Sequence, residues 1–420
     1  MRAGRWASWG ASVGVVAASV LSAAAGTVLL SACGSCDSIV RQSALPVLAA
    51  GSFDGVAADQ SGHRLYFADQ SIKAVDVVDV SGSSPRFMGS VDLPGSPNGL
   101  AVAPGLHRLY AGMDGGQVAV IDTDGTSQSF MQVIDNVTVD AAQTSPTADL
   151  MDYSASTKSL YVGTGSSGSV VVMDATTDKV TRTFPLNTPV EQPRFDAADG
   201  KLYVTTPHTD ALLRVDPSNG KVLRTLTQKS CRPSGLAINP SRQIAMVACR
   251  GTMALFDLRT GLDQISRSVP GGDIVSYDSS ADRFTVGSSH GPRDSSVGVY
   301  TGDARFVGMV ASSPEAHGAV FDDRTGLLYA VSKAGLLSFS PAACAPPPDW
   351  LTFTGGAAVF FVPMALFGLF LISYARRRSQ IASSGKRPPT WDELQREDLA
   401  SERARIRDLE DAIYGPLENP

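Results

Sequence analysis

Tryptophan is absent from the whole middle of this chain; its four indoles stand at Trp6, Trp9, Trp350 and Trp391. Whatever the middle does, it does without stacking an indole. Charge is also sparse, at 18% of 420 residues against about 25% in an average soluble chain, and the formal net charge is −6. That balance excludes a nucleic-acid binder driven by bulk positive charge. Only five histidines are present, too few for a copper cluster built on several imidazoles. A Gly-rich phosphate loop, a Ser-His-Asp signature and a nucleophile elbow are all missing. What remains is apolar and rich in turn formers: 43% hydrophobic residues, 40 Gly and 25 Pro. Such a composition excludes a disordered chain and a collagen, and it favours many tight turns over long surface helices. The first expectation is an all-β body.

Both ends carry membrane signals. Arg2 and Arg5 precede an uncharged stretch from Gly10 to Ala32 that runs into Leu30-Ser31-Ala32-Cys33, the pattern of an export signal. Those last four residues resemble the lipobox of bacterial lipoproteins. The resemblance implies a signal over residues 1–32 and a diacylglyceryl group on Cys33. Two other readings stay open: an uncleaved signal anchor, because the apolar run is long enough to span a bilayer, and ordinary cleavage near Ala23 to Ala25. At the other end, residues 351–375 carry no charge and at about 1.5 Å per residue reach roughly 37 Å, enough for a hydrocarbon core of about 30 Å. A transmembrane helix is predicted there, preceded by a Pro-rich juxtamembrane linker over 345–350 and flanked by Trp350 and Tyr374. Arg376-Arg377-Arg378 follow at once, which places a charged tail, 376–420, in the cytoplasm and the body outside. The expected location is the cell membrane, with an extracytoplasmic body.

The middle repeats itself. An apolar-Tyr-apolar strand preceded by a turn occurs as His63-Arg64-Leu65-Tyr66-Phe67, His107-Arg108-Leu109-Tyr110-Ala111, Lys158-Ser159-Leu160-Tyr161-Val162 and Gly200-Lys201-Leu202-Tyr203-Val204. Looser copies align on Ala245, Phe284 and Tyr329. Seven copies at a spacing of about 44 residues match a propeller period. Each copy has a short apolar strand upstream, as in Gly99-Leu100-Ala101-Val102. Downstream lies an alternating strand that often ends in Asp, as in Val118-Ala119-Val120-Ile121-Asp122, and then a more polar outer strand such as Lys221 to Leu226. Four strands per unit is a blade. The predicted fold is therefore a seven-bladed β-propeller over residues 33–344. The last unit lacks its fourth strand, and the spare strand Ala44-Leu45-Pro46-Val47-Leu48-Ala49 is expected to complete it and latch the ring.

This pattern resembles the YncE-like, or YVTN-type, seven-bladed propellers of exported bacterial proteins, over roughly residues 44 to 340. Leu202-Tyr203-Val204-Thr205 and Leu160-Tyr161-Val162-Gly163 stand closest to that family's signature strand. The resemblance implies a fold and a compartment. It implies little about activity, because propellers host many functions.

Five cysteines are an odd number for an exported chain, and lipidation of Cys33 leaves four. Cys231 and Cys249 flank the first two strands of one unit and fall opposite each other in an antiparallel pair. Cys36 precedes the latch strand and Cys344 follows its partner. Two disulfides, Cys231–Cys249 and Cys36–Cys344, are expected, with free buried thiols as the alternative.

In a propeller, loops entering the innermost strands gather at one mouth of the central channel. Aligning those entries selects Asp54, Asn98, Asp149, Arg194, Ser234, Asp273 and His317, one per blade. Loops after the second strand add Asp69, Asp114, His208, Arg250, His290 and Lys333 on the same face. This mixed ring is the candidate ligand site, and polar residues lining any solvated mouth are the plainer alternative. A gluconolactonase-like metal hydrolase needs an inward Glu beside Asn and Asp, and the aligned ring has no Glu. No cofactor is expected, although Asp54, Asn98, Asp149 and Asp273 have the oxygen donors that Ca²⁺ takes. The leading expectation is a membrane-anchored binding or scaffold module for an envelope protein or a small molecule, with no nucleic-acid partner and no catalytic residue. A metal-dependent lactonase-like hydrolase is the alternative.

Overall fold

The alternating and continuous apolar runs of the repeat become strands arranged in seven four-stranded antiparallel sheets. The structure is a computed structural model that describes residues 41–43 and 52–340, apart from 143, 262, 270, 289–295, 312–316 and 333–334, together with 396 and 400. Strand β1 is Arg41–Ser43, and blade 1 follows with β2 (Phe53–Asp59), β3 (Arg64–Asp69), β4 (Ala74–Asp79) and β5 (Arg86–Asp92). Blade 2 is β6 (Pro97–Ala103), β7 (Arg108–Met113), β8 (Gln117–Asp122) and β9 (Val133–Thr138). Blade 3 is β10 (Met151–Ser154), β11 (Ser159–Gly163), β12 (Ser169–Asp174) and β13 (Lys179–Pro185). Blade 4 is β14 (Pro193–Asp196), β15 (Lys201–Thr206), β16 (Ala211–Val215) and β17 (Val222–Thr227). Blade 5 is β18 (Leu236–Asn239), β19 (Ile244–Ala248), β20 (Met253–Asp257) and β21 (Asp263–Ser266). Blade 6 is β22 (Gly272–Asp278), β23 (Arg283–Ser288), β24 (Ser296–Thr301) and β25 (Phe306–Ala311). Blade 7 is β26 (Val320–Asp322), β27 (Leu327–Ser332) and β28 (Gly335–Phe339), completed by β1 on its outer edge.

Burial explains the order within a blade. The second and third strands are apolar on both faces because a neighbouring blade covers each side, so β8 is buried over five of its six residues. Outer strands touch only one neighbour in their own sheet, so β13 is exposed over six of its seven residues. Seven hydrophobic clusters separate seven pairs of blades, the last joining Phe67 and Val78 of blade 1 to Tyr329 and Leu336 of blade 7. The repeat's tyrosines are core residues: Tyr66, Tyr110, Tyr161, Tyr203 and Tyr329 are all at most 2% exposed. Tyr110 reaches into blade 3, where its hydroxyl donates to the Ala175 carbonyl at 3.1 Å and the Asp178 carboxylate at 2.9 Å.

Ring closure follows the predicted scheme with different residues. Arg41, Gln42 and Ser43 pair with Ser338, Leu337 and Leu336, whereas the sequence pattern selected Ala44 to Ala49. Residues Ala44 to Ala49 themselves lie outside the described residues. Pairing also moves two repeat copies by one residue: Met246 and Thr285, opposite Ala237 and Ser276, occupy the position of Tyr66.

The second compact unit comprises residues 1–30 and 348–420, within which Arg396 and Ala400 are helical and exposed. Among the described residues, no helix is long and apolar enough to cross a membrane. The expected signal, Cys33, Cys36, Cys344 and the span 351–375 lie outside the described residues.

Candidate functional site

Strand pairing gives the blades a common register. Val56, Leu100, Met151, Pro193, Leu236 and Val275 each face the equivalent residue of the second strand: Phe67, Ala111, Val162, Val204, Val247 and Val286. Two residues before each stand Asp54, Asn98, Asp149, Glu191, Ser234 and Asp273. In blade 7, Val320 faces Tyr329 as Ala57 faces Tyr66, so Ala319 holds the position of Val56 and the residue two before it is His317. Six of the seven expected mouth residues are therefore in register.

The exception is Arg194. It lies three residues deeper, and Glu191 holds the mouth position of blade 4. Arg194 crosses the channel wall instead. Its guanidinium donates to Asp152 of blade 3 at 2.9 Å and to the Leu236 carbonyl of blade 5 at 2.8 Å. It ties three blades together. The expectation of a ring without Glu is thus corrected. In every blade the ring residue lies five before the residue that ends the first strand, as Asp54 before Asp59 and Glu191 before Asp196, a spacing that appears only once the strand ends are known.

Backbone packing at the mouth is tight. A Cβ on Gly55 would come within 2.3 Å of the Asn98 carbonyl oxygen, and one on Gly235 within 2.1 Å of the Asp273 oxygen. The Gly235 N–H donates to that same oxygen at 3.1 Å, and the Ile274 N–H to the His317 oxygen at 3.1 Å. Glycine is needed where one blade's entry strand lies directly on the next.

Side chains around the ring form two connected groups. Gln70 donates to Asp54 and to Asn98, each at 3.2 Å, and Asn98 donates to Asp114 and Thr147, each at 3.3 Å. On the other side, His317 Nδ1 and an Asp273 carboxylate oxygen are 2.6 Å apart. One ligand-capable atom from each of Asp54, Asp273 and His317 lies within 4.8 Å of the others. Glu191 accepts no hydrogen bond among the described residues, and Asp149 accepts one from the N–H of Leu150 at 3.0 Å.

Electrostatics at the mouth are strained. Burial, then the neighbouring Asp273 carboxylate, pushes Asp54 up to about 6, while His317 opposes the shift. Glu191 is pushed up to about 7 by burial and then by Asp273 and Asp54. Asp149 rises well above the usual carboxylate range through burial, then Glu191 and Asp54. These carboxylates feel one another across blades, so they share one space.

The second-strand loops contribute unevenly. Asp114 joins the network through Asn98, whereas Asp69 is spent on its own turn, accepting from Ser71 N–H at 2.9 Å. His208 stands in a short 3₁₀ turn, Pro207–Thr209. His290 and Lys333 lie outside the described residues. Further along the channel, a cavity of about 390 Å³ is lined by Asp152, Arg194, Tyr153, Phe195 and Tyr277 together with small apolar residues.

Cys231 and Cys249 are joined in a buried disulfide with Cα atoms 4.6 Å apart. It closes the loop before β18 onto the end of β19, next to Ser234.

Together the sheets and the mouth define the class: a seven-bladed β-propeller with a carboxylate-rich channel entrance. Two solved structures share that architecture. Hydrazine synthase of Kuenenia stuttgartiensis superposes with a TM-score of 0.57 at 14% identity, over 69% of this chain and 96% of that one. Virginiamycin B lyase of Staphylococcus aureus superposes with a TM-score of 0.57 at 10% identity, over 71% of this chain and 98% of that one. At such identities the likeness shows the fold alone. No family model and no curated protein sequence matches the chain.

Proposed function

We propose that this protein is a membrane-anchored, extracytoplasmic binding propeller of the YncE-like kind, and that its ligand or protein partner engages the channel mouth. The observation that carries the reading is the ring itself. Asp54, Asn98, Asp149, Glu191, Ser234, Asp273 and His317 bring one polar group from every blade to a single entrance, where burial and neighbouring carboxylates raise Asp54, Asp149 and Glu191 together. A merely solvated entrance has no reason to gather buried like charges, which are costly unless something pairs with them. The chain enters β1 and leaves β28 at the face opposite the mouth, where Arg41 lies across from Ser338. The export signal and the 351–375 span support anchoring on that opposite side.

The reading is tested by charge reversal. Glu191→Lys and Asp149→Lys, each checked for unchanged circular dichroism, are compared with wild type in pull-downs from solubilised membranes. Loss of the co-purifying species in both variants is the expected result. Retention of every species in both would reject the mouth as the binding site.

One observation favours a second reading, the metal-dependent lactonase-like hydrolase. With Glu191 in register, the ring holds the inward Glu that such chemistry uses, beside Asn98 and three Asp residues. Hydrolysis of a panel of lactones by the purified protein, with and without added divalent metal, distinguishes it from a binding module.

A further inference from the structure

Five blades carry a tyrosine at one place in the second strand: Tyr66, Tyr110, Tyr161, Tyr203 and Tyr329 face Ala57, Ala101, Asp152, Arg194 and Val320 of the first strand. Each belongs to a hydrophobic cluster shared with the blade that follows. Blade 5 puts Met246 there, and its side chain joins the cluster shared with blade 6. Blade 6 puts Thr285 there, which faces blade 7 and donates to the Ala319 carbonyl at 3.4 Å. A threonine has no ring to fill the space.

A cavity of about 140 Å³ lies at that place, walled by Thr285 of blade 6 and by Val320, Phe321 and Leu328 of blade 7. Leu328 faces Phe321 as Leu160 faces Tyr153, and Leu160 shares a cluster with Tyr110. The cavity therefore takes, beside blade 7, the position that the Tyr110 ring takes beside blade 3. Its size matches, since an apolar cavity of about 150 Å³ holds one benzene ring. Gln60 of blade 1 braces the blade 7 wall, donating to the Phe321 carbonyl at 2.6 Å and accepting from the Asp323 N–H at 3.0 Å.

Polar groups at the cavity repeat those around the Tyr110 hydroxyl. Arg283 holds the strand position of Arg108, facing Asp278 as Arg108 faces Ala103. Nη1 of each donates back to its own turn, Arg283 to the Asp282 carbonyl at 3.0 Å and Arg108 to the His107 carbonyl at 3.2 Å. Arg108 Nε lies 3.8 Å from Asp178, the carboxylate that accepts from the Tyr110 hydroxyl. Arg283 Nε, by contrast, is buried and has no hydrogen-bond partner among the described residues. A buried donor left unmade is costly, the more so on a charged group. Asp278, its cross-strand neighbour, also lines the cavity. A donating cation and an accepting carboxylate side by side suit a phenolic hydroxyl, which both accepts and donates.

We propose that the gap between blades 6 and 7 is a binding site for a small phenolic compound. Its ring takes the place of the missing tyrosine, and its hydroxyl accepts from Arg283 and donates to Asp278. The site is separate from the channel mouth and does not rest on the reading given above.

The probe is p-cresol, the tyrosine side chain as a free molecule, titrated calorimetrically into the purified full-length protein. Wild type is expected to bind one molecule per chain with a Kd of about 1 mM or below, the range open to a ligand of this size. Toluene, which lacks the hydroxyl, should bind about tenfold more weakly, and Arg283→Met should weaken p-cresol by about tenfold while leaving toluene unchanged. Thr285→Tyr supplies the ring from within the chain. It should abolish p-cresol binding and raise the thermal midpoint by a few degrees. The proposal is overturned if wild type binds no p-cresol, if toluene binds as tightly, if Arg283→Met binds p-cresol as wild type does, or if a cooperatively melting Thr285→Tyr still binds it. Should Thr285→Tyr fail to fold, Arg283→Met decides, because that substitution leaves the ring-sized space intact.

Discussion

Asp79, Asp174 and Asp257 end the third strand of a blade and Asp216 directly follows one, and each accepts hydrogen bonds from residues just beyond it. Those bonds, led by Ser81 for Asp79, hold its carboxyl down at about 2. The acidity of the body is therefore partly turn chemistry, with Asp mimicking a backbone acceptor. Asp76 is the opposite case. It is fully buried in β4, accepts one hydrogen bond from Ser90 at 2.6 Å, and its second oxygen has no partner. Burial pushes it up to about 6, against the Ser90 bond and with help from Asp69. A carboxyl whose folded value is raised contributes stability that is complete below its unfolded value, near 4, and lost as pH climbs through about 6. Asp76→Asn should accordingly raise stability by about 1 to 2 kcal/mol at pH 8, where the buried charge is fully present, and change it little at pH 4. Urea titrations of both proteins at the two pH values check this. An equal effect at both would mean that Asp76 is not charged in the folded protein at pH 8.

Among the elements, blade 5 carries the covalent staple. Cys231 and Cys249 are separated by 18 residues in sequence, and closing a loop of that size is worth about 3 kcal/mol in the chain-entropy account. Replacing both with Ala should lower stability by about 2 to 4 kcal/mol and loosen the loop holding Ser234. Denaturant midpoints give the first effect, and amide exchange at residues 228–235 gives the second. The pairing was legible from the sequence because the two cysteines flank one hairpin, and hairpin register is local. The latch was legible in kind only. Its existence follows from the missing fourth strand of blade 7, but the paired residues, Arg41 to Ser43, have no apolar pattern to mark them. Arg194 shows the same limit inside a blade, since a four-residue strand such as β14 carries too little pattern to separate Glu191 from a residue three places on.

For the whole molecule, the proposed topology makes a prediction that does not depend on the ligand. An epitope inserted in the exposed turn 81–84 should be removed by protease added to intact spheroplasts. A tag after Pro420 should be spared until the membrane is permeabilised. Protection of the first epitope would overturn the extracytoplasmic reading, and cleavage of the second would overturn the cytoplasmic tail.

The repeat period, the four strands of each blade, the ring of seven and the Cys231–Cys249 pairing were all determined by the sequence itself, because each depends on local periodicity or on residues joined by one hairpin. The meeting of Asp54, Asp273 and His317, the entry of Glu191 and the diversion of Arg194 into the wall were decided only by the tertiary structure. These residues come from blades far apart in the chain, and their approach depends on how strand registers add up around a closed ring. A one-residue change in register moves a side chain to the other face of its strand, and no local pattern in a short entry strand fixes that register.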